Sequence, residues 1–329
     1  MVLSLISRKG IKLNIDVFNG DADGICALLQ LRLVYPLESM LITGVKRDIG
    51  LLSRVSAEAG DELVVLDVSL DKNRLPLSEL LKKGVSIFYM DHHYSGEIPV
   101  HPGFTSLINT DANVCTSLLM DAHLKHRYSE WAIAGAFGDN LGAAATDVGK
   151  SIELTAQKLL VLKRLGICIN YNAYGTCIDD LYFKPDELYR QLEGYESPLD
   201  FLQDKSEVYQ QLFDGYVGDM GLAGQIKAEY ATSTAAVFIL PDEKWARRVA
   251  GVFGNDLANL YPDRAHAIVS NNRRGGYQIS VRAPLQNKVG ADELCALFYG
   301  GGRKASAGIN DLPYEQLTRF IVAFQTQYK

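Results

Sequence analysis

Four short acidic motifs hold the residue types that could do chemistry in this chain. Gly20-Asp21-Ala22-Asp23-Gly24 sets two carboxylates two positions apart, and Asp67 closes the run Leu63-Val64-Val65-Leu66. Asp91-His92-His93 places a carboxylate beside two imidazoles, and Gly138-Asp139-Asn140 adds a further carboxylate. Carboxylates brought close together repel one another and take up protons unless a cation neutralises them. Oxygen ligands mixed with imidazole suit Mn²⁺, with Mg²⁺, Co²⁺ or Zn²⁺ as competitors. Two such ions roughly 3.5–4 Å apart activate a water and hold a phosphoryl oxygen, which is phosphoester chemistry. Taken singly, an aspartate after a strand is ordinarily a turn former or helix N-cap. It is the occurrence of all four motifs in one chain that argues for a site.

Elements must bring these motifs together. The first 150 residues alternate short apolar runs with helix-like stretches, the pattern of a parallel sheet wrapped by helices. Strands are expected at Leu13–Phe18, Met40–Val45, Glu62–Val68 and Val85–Met90, and helices at Gly24–Val34, Ile49–Ala59, Pro76–Lys83 and Ser129–Phe137. Three of the motifs then sit at strand carboxyl ends, which line one edge of an open α/β sheet where ligands bind. Residues 151–230 read as helical, with breaks at Gly175, Pro185 and Pro198. From Thr232 the pattern changes to strand Ala235–Leu240, helix Lys244–Leu260, strands Ala265–Ser270 and Tyr277–Arg282 joined through Arg274–Tyr277, and a short helix Asp292–Leu297. The expected architecture is α/β, a parallel-sheet domain over 1–180, a helical connector over 181–231 and a smaller α/β domain over 232–329. The active site is expected in the cleft between the two domains.

Composition narrows the function. The chain has 329 residues, 47% of them apolar, enough for two domains with proper cores. No apolar run reaches the roughly 18 residues of a membrane span, so no membrane partner is expected. Met1–Lys12 lacks the ordered features of a signal peptide. The five cysteines show no C-x-x-C spacing; Cys26 and Cys295 lie in apolar runs and read as core residues, and the expected compartment is the cytoplasm. A net charge of −6 argues against a protein that coats long nucleic acid. Residues 232–329 carry twelve Lys or Arg against eight Asp or Glu, +4, which leaves −10 for the rest. An acidic half facing a mildly basic half suits a metal site opposite an anion clamp. Gly300-Gly301-Gly302 allows the backbone close to a ligand with its N–H groups turned toward an anion. Arg303 and Lys304 follow, with Arg282 and Ser306 in the same region. Tyr299, in Leu297-Phe298-Tyr299, reads as core packing.

The order GDADG, LDVS, DHH, GDN resembles that of the DHH phosphoesterases, and Gly300–Gly308 is similar to the glycine-rich signature of the DHH-associated domain. The resemblance implies that Asp21 and Asp67 bind one metal and Asp23, Asp67, His92 and Asp139 the other, with Asp67 bridging. Asp91 would orient a histidine, and His93 would serve as hydrogen-bond donor or general acid at the phosphate. The substrate would contact Arg282, Gly300, Gly301, Gly302, Arg303 and Ser306. Two positions depart from the family pattern. Val17 and Asn19 stand where relatives carry a histidine or an aspartate, leaving Asn19 as a weak neutral ligand, and Arg303 replaces a histidine. The function implied is a two-metal, Mn²⁺-dependent phosphodiesterase for linear dinucleotides or very short oligonucleotides, with the signalling product pGpG favoured. Phosphatases for 3′,5′-bisphosphonucleotides or polyphosphate share the chemistry, and a non-catalytic nucleotide-binding regulator is the reading from another class. A homodimer is the default assembly.

Overall fold

Five parallel strands, β1 (Asn14–Phe18), β2 (Met40–Ile42), β3 (Glu62–Leu66), β4 (Ser86–Asp91) and β5 (Phe104–Ile108), lie in the order β2-β1-β3-β4-β5. The computed structural model describes residues 12–329, so the reading of Met1–Lys12 falls, up to Ile11, outside the described residues. The central strands are buried on both faces, which is why β3 runs Leu63-Val64-Val65-Leu66 without polar alternation; in β1 the one fully buried polar residue, Asp16, is paired with Arg32 and Ser39. One face packs on α2 (Arg74–Lys82) through Leu77, Leu80 and Leu81. The other packs on α1 (Ala22–Val34) and α3 (Thr116–His123), behind which α4 (Ser129–Gly138) and α6 (Ala156–Ala173) place Trp131 and Leu165 in the core, while α5 (Gly142–Ser151) packs on α4 through Ala145. Helices α7 (Pro185–Leu192), α8 (Pro198–Asp204) and α9 (Ser206–Ala223) add Leu188, Phe201 and Leu212 to that same core.

The strand order reverses between β1 and β3, and such a reversal opens a crevice at the strand carboxyl ends. Asp21 and Asp23 follow β1, and Asp67 follows β3. Topology alone therefore puts two of the acidic motifs on either side of one crevice. Asp139 reaches it from the end of α4, because α4 approaches α1 closely: a Cβ on Gly138 would lie 2.4 Å from Ala22 Cβ.

The second sheet contains β6 (Tyr230–Ala231), β7 (Ala235–Ile239), β8 (Ala265–Asn271), β9 (Gly276–Arg282), β10 (Gly301–Arg303) and β11 (Ser306–Pro313), ordered β10-β11-β9-β8-β7-β6. Helix α10 (Lys244–Leu260) makes the crossover between the parallel pair β7 and β8. Helices α11 (Ala291–Ala296) and α12 (Leu317–Gln327) cover the core built on Val237, Ile279, Phe320 and Phe324. Among the described residues no helix is long and apolar enough to cross a membrane.

Several local expectations are corrected. The helix expected over Ile49–Ala59 is only a 3-10 turn, Leu51–Arg54. There the Asn73 side chain accepts from Leu52 N (3.2 Å) and donates to the carbonyls of Ile49 (2.6 Å) and Ser69 (2.9 Å). One buried amide thus satisfies backbone groups that a helix would have paired internally. The strand from Met40 stops at Ile42, after which the chain turns toward the crevice. Pro185 and Pro198 stand in the first turn of helices and start them, where a missing N–H costs nothing. Two of the three glycines lie in a strand: Gly301–Arg303 pairs antiparallel with Ser306–Gly308. Gly302, at φ 145°, has no room for a side chain, since a Cβ would sit 2.5 Å from Ala307 Cα. Tyr299 is fully exposed at the cleft rim rather than packed, while its neighbour Phe298 is buried.

Candidate metal centre

The Asp67 carboxylate is positioned by an unusual backbone. With φ 57°, Asp67 lies in the left-handed region, turning the chain sharply off β3 while its N–H bonds Met90 O at 3.0 Å. Asp23, in the first turn of α1, is held by a second helix. Its two oxygens accept the Thr116 N–H (2.8 Å) and Ser117 N–H (2.7 Å) at the N-terminus of α3, where unpaired amides favour negative charge. Thr116 Oγ1 also lies 3.3 Å from Asp67 Oδ1. These α3 contacts had no signal in the sequence beyond a Thr-Ser pair opening an apolar stretch.

His92 is oriented for ligation. Its Nδ1 lies 2.8 Å from the Val114 carbonyl, to which it donates, leaving Nε2 with a free lone pair. That Nε2 faces Asp67 Oδ1 at 3.2 Å, Asp23 Oδ2 at 3.7 Å and Asp139 Oδ2 at 3.7 Å. Ligand atoms of Asp23, His92 and Asp139 lie within 4.8 Å of one another, as do those of Asp67, His92 and His93. Burial, and then the charges of Asp21 and Asp23, push the Asp67 pKa well above the ordinary carboxylate range. Burial acts the same way on Asp139, but Arg303 and Lys46 overcome it and hold Asp139 below that range. The two shifts differ because Arg303 and Lys46 pair directly with Asp139, whereas the charges acting most on Asp67 are those of Asp21 and Asp23. A divalent ion between Asp23, Asp67, His92 and Asp139 fits this donor set of buried carboxylate oxygens and one imidazole nitrogen.

Asp21 does not fit a second ion as well. It is the N-cap of α1, with Oδ1 accepting Gly24 N at 3.0 Å, and its Oδ2 is paired with Lys46. The Asn19 side chain donates to Lys46 O at 3.3 Å, and its Oδ1 is buried without a partner. Val17 is fully buried and offers no ligand atom.

His93 Nδ1 lies 2.7 Å from Asp91 Oδ1. Burial pulls the His93 pKa down, but the Asp91 charge and hydrogen bond outweigh it, so the value rises above 6.5. Burial pushes Asp91 up, and His93 brings it below 3.8. The elevated His93 value means that the pair stabilises the fold fully below pH 6.5 and weakens as pH rises through that value. The depressed Asp91 value means its share holds above pH 3.8 and fades on further acidification. Asp91→Asn is expected to lower the His93 pKa, measured by imidazole NMR titration of the metal-free protein. A value unmoved by the substitution would show that Asp91 does not set it.

The cleft between the two sheets has a volume of about 790 Å³ and is lined by Asp21, Asp67, His92, His93 and Asp139 on one side. On the other side lie Gly300, Gly301, Gly302, Arg303, Lys304 and Ser306. Arg303 Nη2 is 3.0 Å from Asp139 Oδ2, so this guanidinium lies at the acidic cluster itself, not at a distant end of a substrate. The antiparallel pairing of β10 with β11 directs it there. Arg282, read as a substrate contact, has no donor to spare. Its guanidinium reaches Asn255 Oδ1, Ser280 Oγ, Val281 O, Tyr174 OH and Gly251 O, as many acceptors as it has N–H groups. It braces the second sheet against α10 and Tyr174.

Sequence reading missed Lys46 and Arg47. Lys46 Nζ contacts Asp21 Oδ2 and lies 3.3 Å from Asp139 Oδ1 and from Asn170 Oδ1. Arg47 crosses the cleft to Ile279 O (3.1 Å), Ile309 O (3.4 Å) and Asn310 Oδ1 (3.1 Å) in the second sheet. A basic pair just after a strand at the acidic edge was the available signal.

A parallel sheet with a carboxylate and imidazole crevice at its switch point, facing a second sheet that closes the crevice with a glycine hairpin, defines a two-domain α/β class. The order of the four motifs resembles that of the DHH phosphoesterases. No sequence-family model matches the chain, and no curated protein does. Among solved structures, RecJ of Thermus thermophilus in complex with Mn²⁺ superposes with a TM-score of 0.61 and 18% identity over 95% of this chain, which spans about half (51%) of that protein. A manganese-bound exonuclease RecJ gives 0.57 and 17%, covering 95% of this chain and 89% of its own. The pGpG-specific phosphodiesterase PggH of Vibrio cholerae gives 0.52 and 16%, covering 96% and 98%. At these identities the likeness is one of fold.

Proposed function

We propose that this chain is a Mn²⁺-dependent phosphodiesterase that hydrolyses linear dinucleotides or very short oligonucleotides, with pGpG as the leading substrate. The observation that carries the reading is that His92 Nε2 gathers Asp67, Asp139 and, beneath them, Asp23 within 3.7 Å at a cleft whose opposite wall brings Arg303 within 3.0 Å of Asp139. Those four residues would hold a divalent cation, which polarises a phosphoryl oxygen and lowers the pKa of a bound water. His93, held by Asp91 through Nδ1, turns its other nitrogen to the cleft and donates a proton or hydrogen bond to the phosphate. Arg303 neutralises phosphate charge, and the backbone of Gly300–Gly302 with Ser306 lines the path of the remaining nucleotide. The fully exposed Tyr299 at the rim offers a face on which a base can stack. A cleft of about 790 Å³ is in the range of small-molecule sites, which supports a short substrate. On this reading residues 1–180 hold the metal, 181–231 connect, 232–329 bind substrate, and the protein works in the cytoplasm.

Purified protein, stripped of metal and then given Mn²⁺, is tested on pGpG, longer single strands, a 3′,5′-bisphosphonucleotide and polyphosphate. The expected result is Mn²⁺-dependent release of GMP, fastest with the dinucleotide. Preferential release of inorganic phosphate from the bisphosphonucleotide or polyphosphate would move the assignment to a phosphatase. Faster degradation of long strands would make it a RecJ-like exonuclease, and no turnover of any of them would overturn catalysis.

A further inference from the structure

Lys46 occupies ground where a second metal ion is expected. An ammonium carries three N–H donors, and Lys46 Nζ meets three oxygens: Asp21 Oδ2, Asp139 Oδ1 at 3.3 Å and Asn170 Oδ1 at 3.3 Å. The Tyr174 ring, its centroid 5.7 Å away, adds a cation–π contact. This side chain is about one-fifth exposed, so its charge acts in a partly desolvated setting where pairing is strong.

The backbone behind it is fixed at both ends. Lys46 N bonds Ala173 O at 2.9 Å, its carbonyl accepts the Asn19 amide, and the next residue, Arg47, is tied to three acceptors in the second sheet. A lysine held this way differs from a surface side chain that drifts into an acidic pocket. Asp21, meanwhile, has both oxygens engaged, one by the helix cap and one by Lys46. Among the described residues, the groups able to hold a metal include Asp23, Asp67, His92, His93 and Asp139, and none includes Asp21.

We propose that the Lys46 ammonium stands in for one of the two metal ions, so that the chain binds a single divalent cation at Asp23, Asp67, His92 and Asp139 beside a built-in lysine cation. This deepens the function proposed above and rests on it. Lys46 then supplies from the protein the positive charge and hydrogen-bond donors that a second ion would bring to a phosphoryl oxygen. Neutral Asn19 and apolar Val17 are compatible with that arrangement, because a monovalent ammonium on Asp21 needs no additional anionic ligand.

The test is Mn²⁺ stoichiometry of the full chain after metal removal, by isothermal titration calorimetry and by electron paramagnetic resonance. Wild type is expected to bind one ion per chain, with the spectrum of an isolated Mn²⁺. Lys46→Met, which empties the position and frees Asp21, is expected to bind two ions and show exchange coupling between them, a doubling of stoichiometry. Lys46→Arg, which keeps a cation, is expected to stay at one. If Lys46→Met does not fold by circular dichroism, Lys46→Gln takes its place. Two ions in wild type would overturn the proposal while leaving the metal-dependent function intact. One ion in both wild type and the uncharged variant would also overturn it, because something other than Lys46 would then limit the count. No ion in wild type would overturn the metal-dependent function itself, and the proposal with it.

Discussion

Asp67→Asn is expected to cost at least about 4 kcal/mol of transition-state stabilisation, roughly a thousandfold in kcat/KM, and to lower Mn²⁺ affinity with it. Asparagine is the informative replacement. Asp67 has φ 57°, a conformation asparagine tolerates and alanine adopts only at a cost of about 1–2 kcal/mol. Asp67→Ala would therefore mix backbone strain with loss of charge, whereas Asp67→Asn keeps the turn off β3. The carboxylate is 3.2 Å from His92 Nε2 and is the buried acid whose pKa is driven upward by burial and by the charges of Asp21 and Asp23. A divalent ion gains most from such a group, because binding relieves the repulsion from Asp21 and Asp23 as well as forming a ligand bond. Elemental analysis together with turnover of pGpG checks the prediction. Wild-type metal content and activity in Asp67→Asn would remove Asp67 from the centre.

Arg303→Ala is expected to lower turnover of both pGpG and a small generic diester, bis-p-nitrophenyl phosphate, by about ten- to a hundredfold, or about 1.5–3 kcal/mol. The sequence placed this arginine on the part of the substrate remote from the scissile bond, where only the dinucleotide would feel its loss. On the function proposed above, its position 3.0 Å from Asp139 Oδ2 would put it next to the reacting phosphate for any substrate. The same geometry would make it a competitor for the proposed metal, since Arg303 and the ion would share one carboxylate. Mn²⁺ affinity is therefore expected to hold or rise in Arg303→Ala while kcat falls, a split that damage to the fold would not produce. Parallel loss of metal and activity would contradict the assignment, and a loss confined to pGpG would restore the remote role. Arg303→Lys keeps the charge but loses the planar pair of donors, and is expected to recover only part of the rate.

What could be read from the chain was set by short-range physics. Apolar runs of Val, Leu and Ile ending in an aspartate or in Asp91-His92-His93 mark buried parallel strands, because a strand covered on both faces has no place for polar alternation. Placing the motifs at the ends of such runs was enough to infer a common edge, and a parallel sheet followed by a second sheet, which begins at Tyr230, is what the chain forms. Helix Lys244–Leu260 matches its expected bounds because its apolar period and flanking turns agree. The helix expected at Ile49–Ala59 failed for the opposite reason: its backbone groups are satisfied by Asn73, a residue about twenty positions away that no local pattern predicts.

Residue order along the chain was enough to tell which side-chain types were available for metal and phosphate, and which strands would carry them to one edge. Tertiary structure alone decided how each was used. Asp23 is gripped by the amides that open α3, Asp21 is matched by Lys46, Arg282 is consumed as a brace, and Arg303 is carried across the cleft to Asp139. Each of these depends on a partner dozens to more than a hundred residues distant, for Arg282 through Tyr174. A charged side chain in a desolvated cleft takes its role from whichever opposite charge or donor the fold brings within a few ångströms. That pairing is a property of the folded chain, set when two sheets close on one crevice.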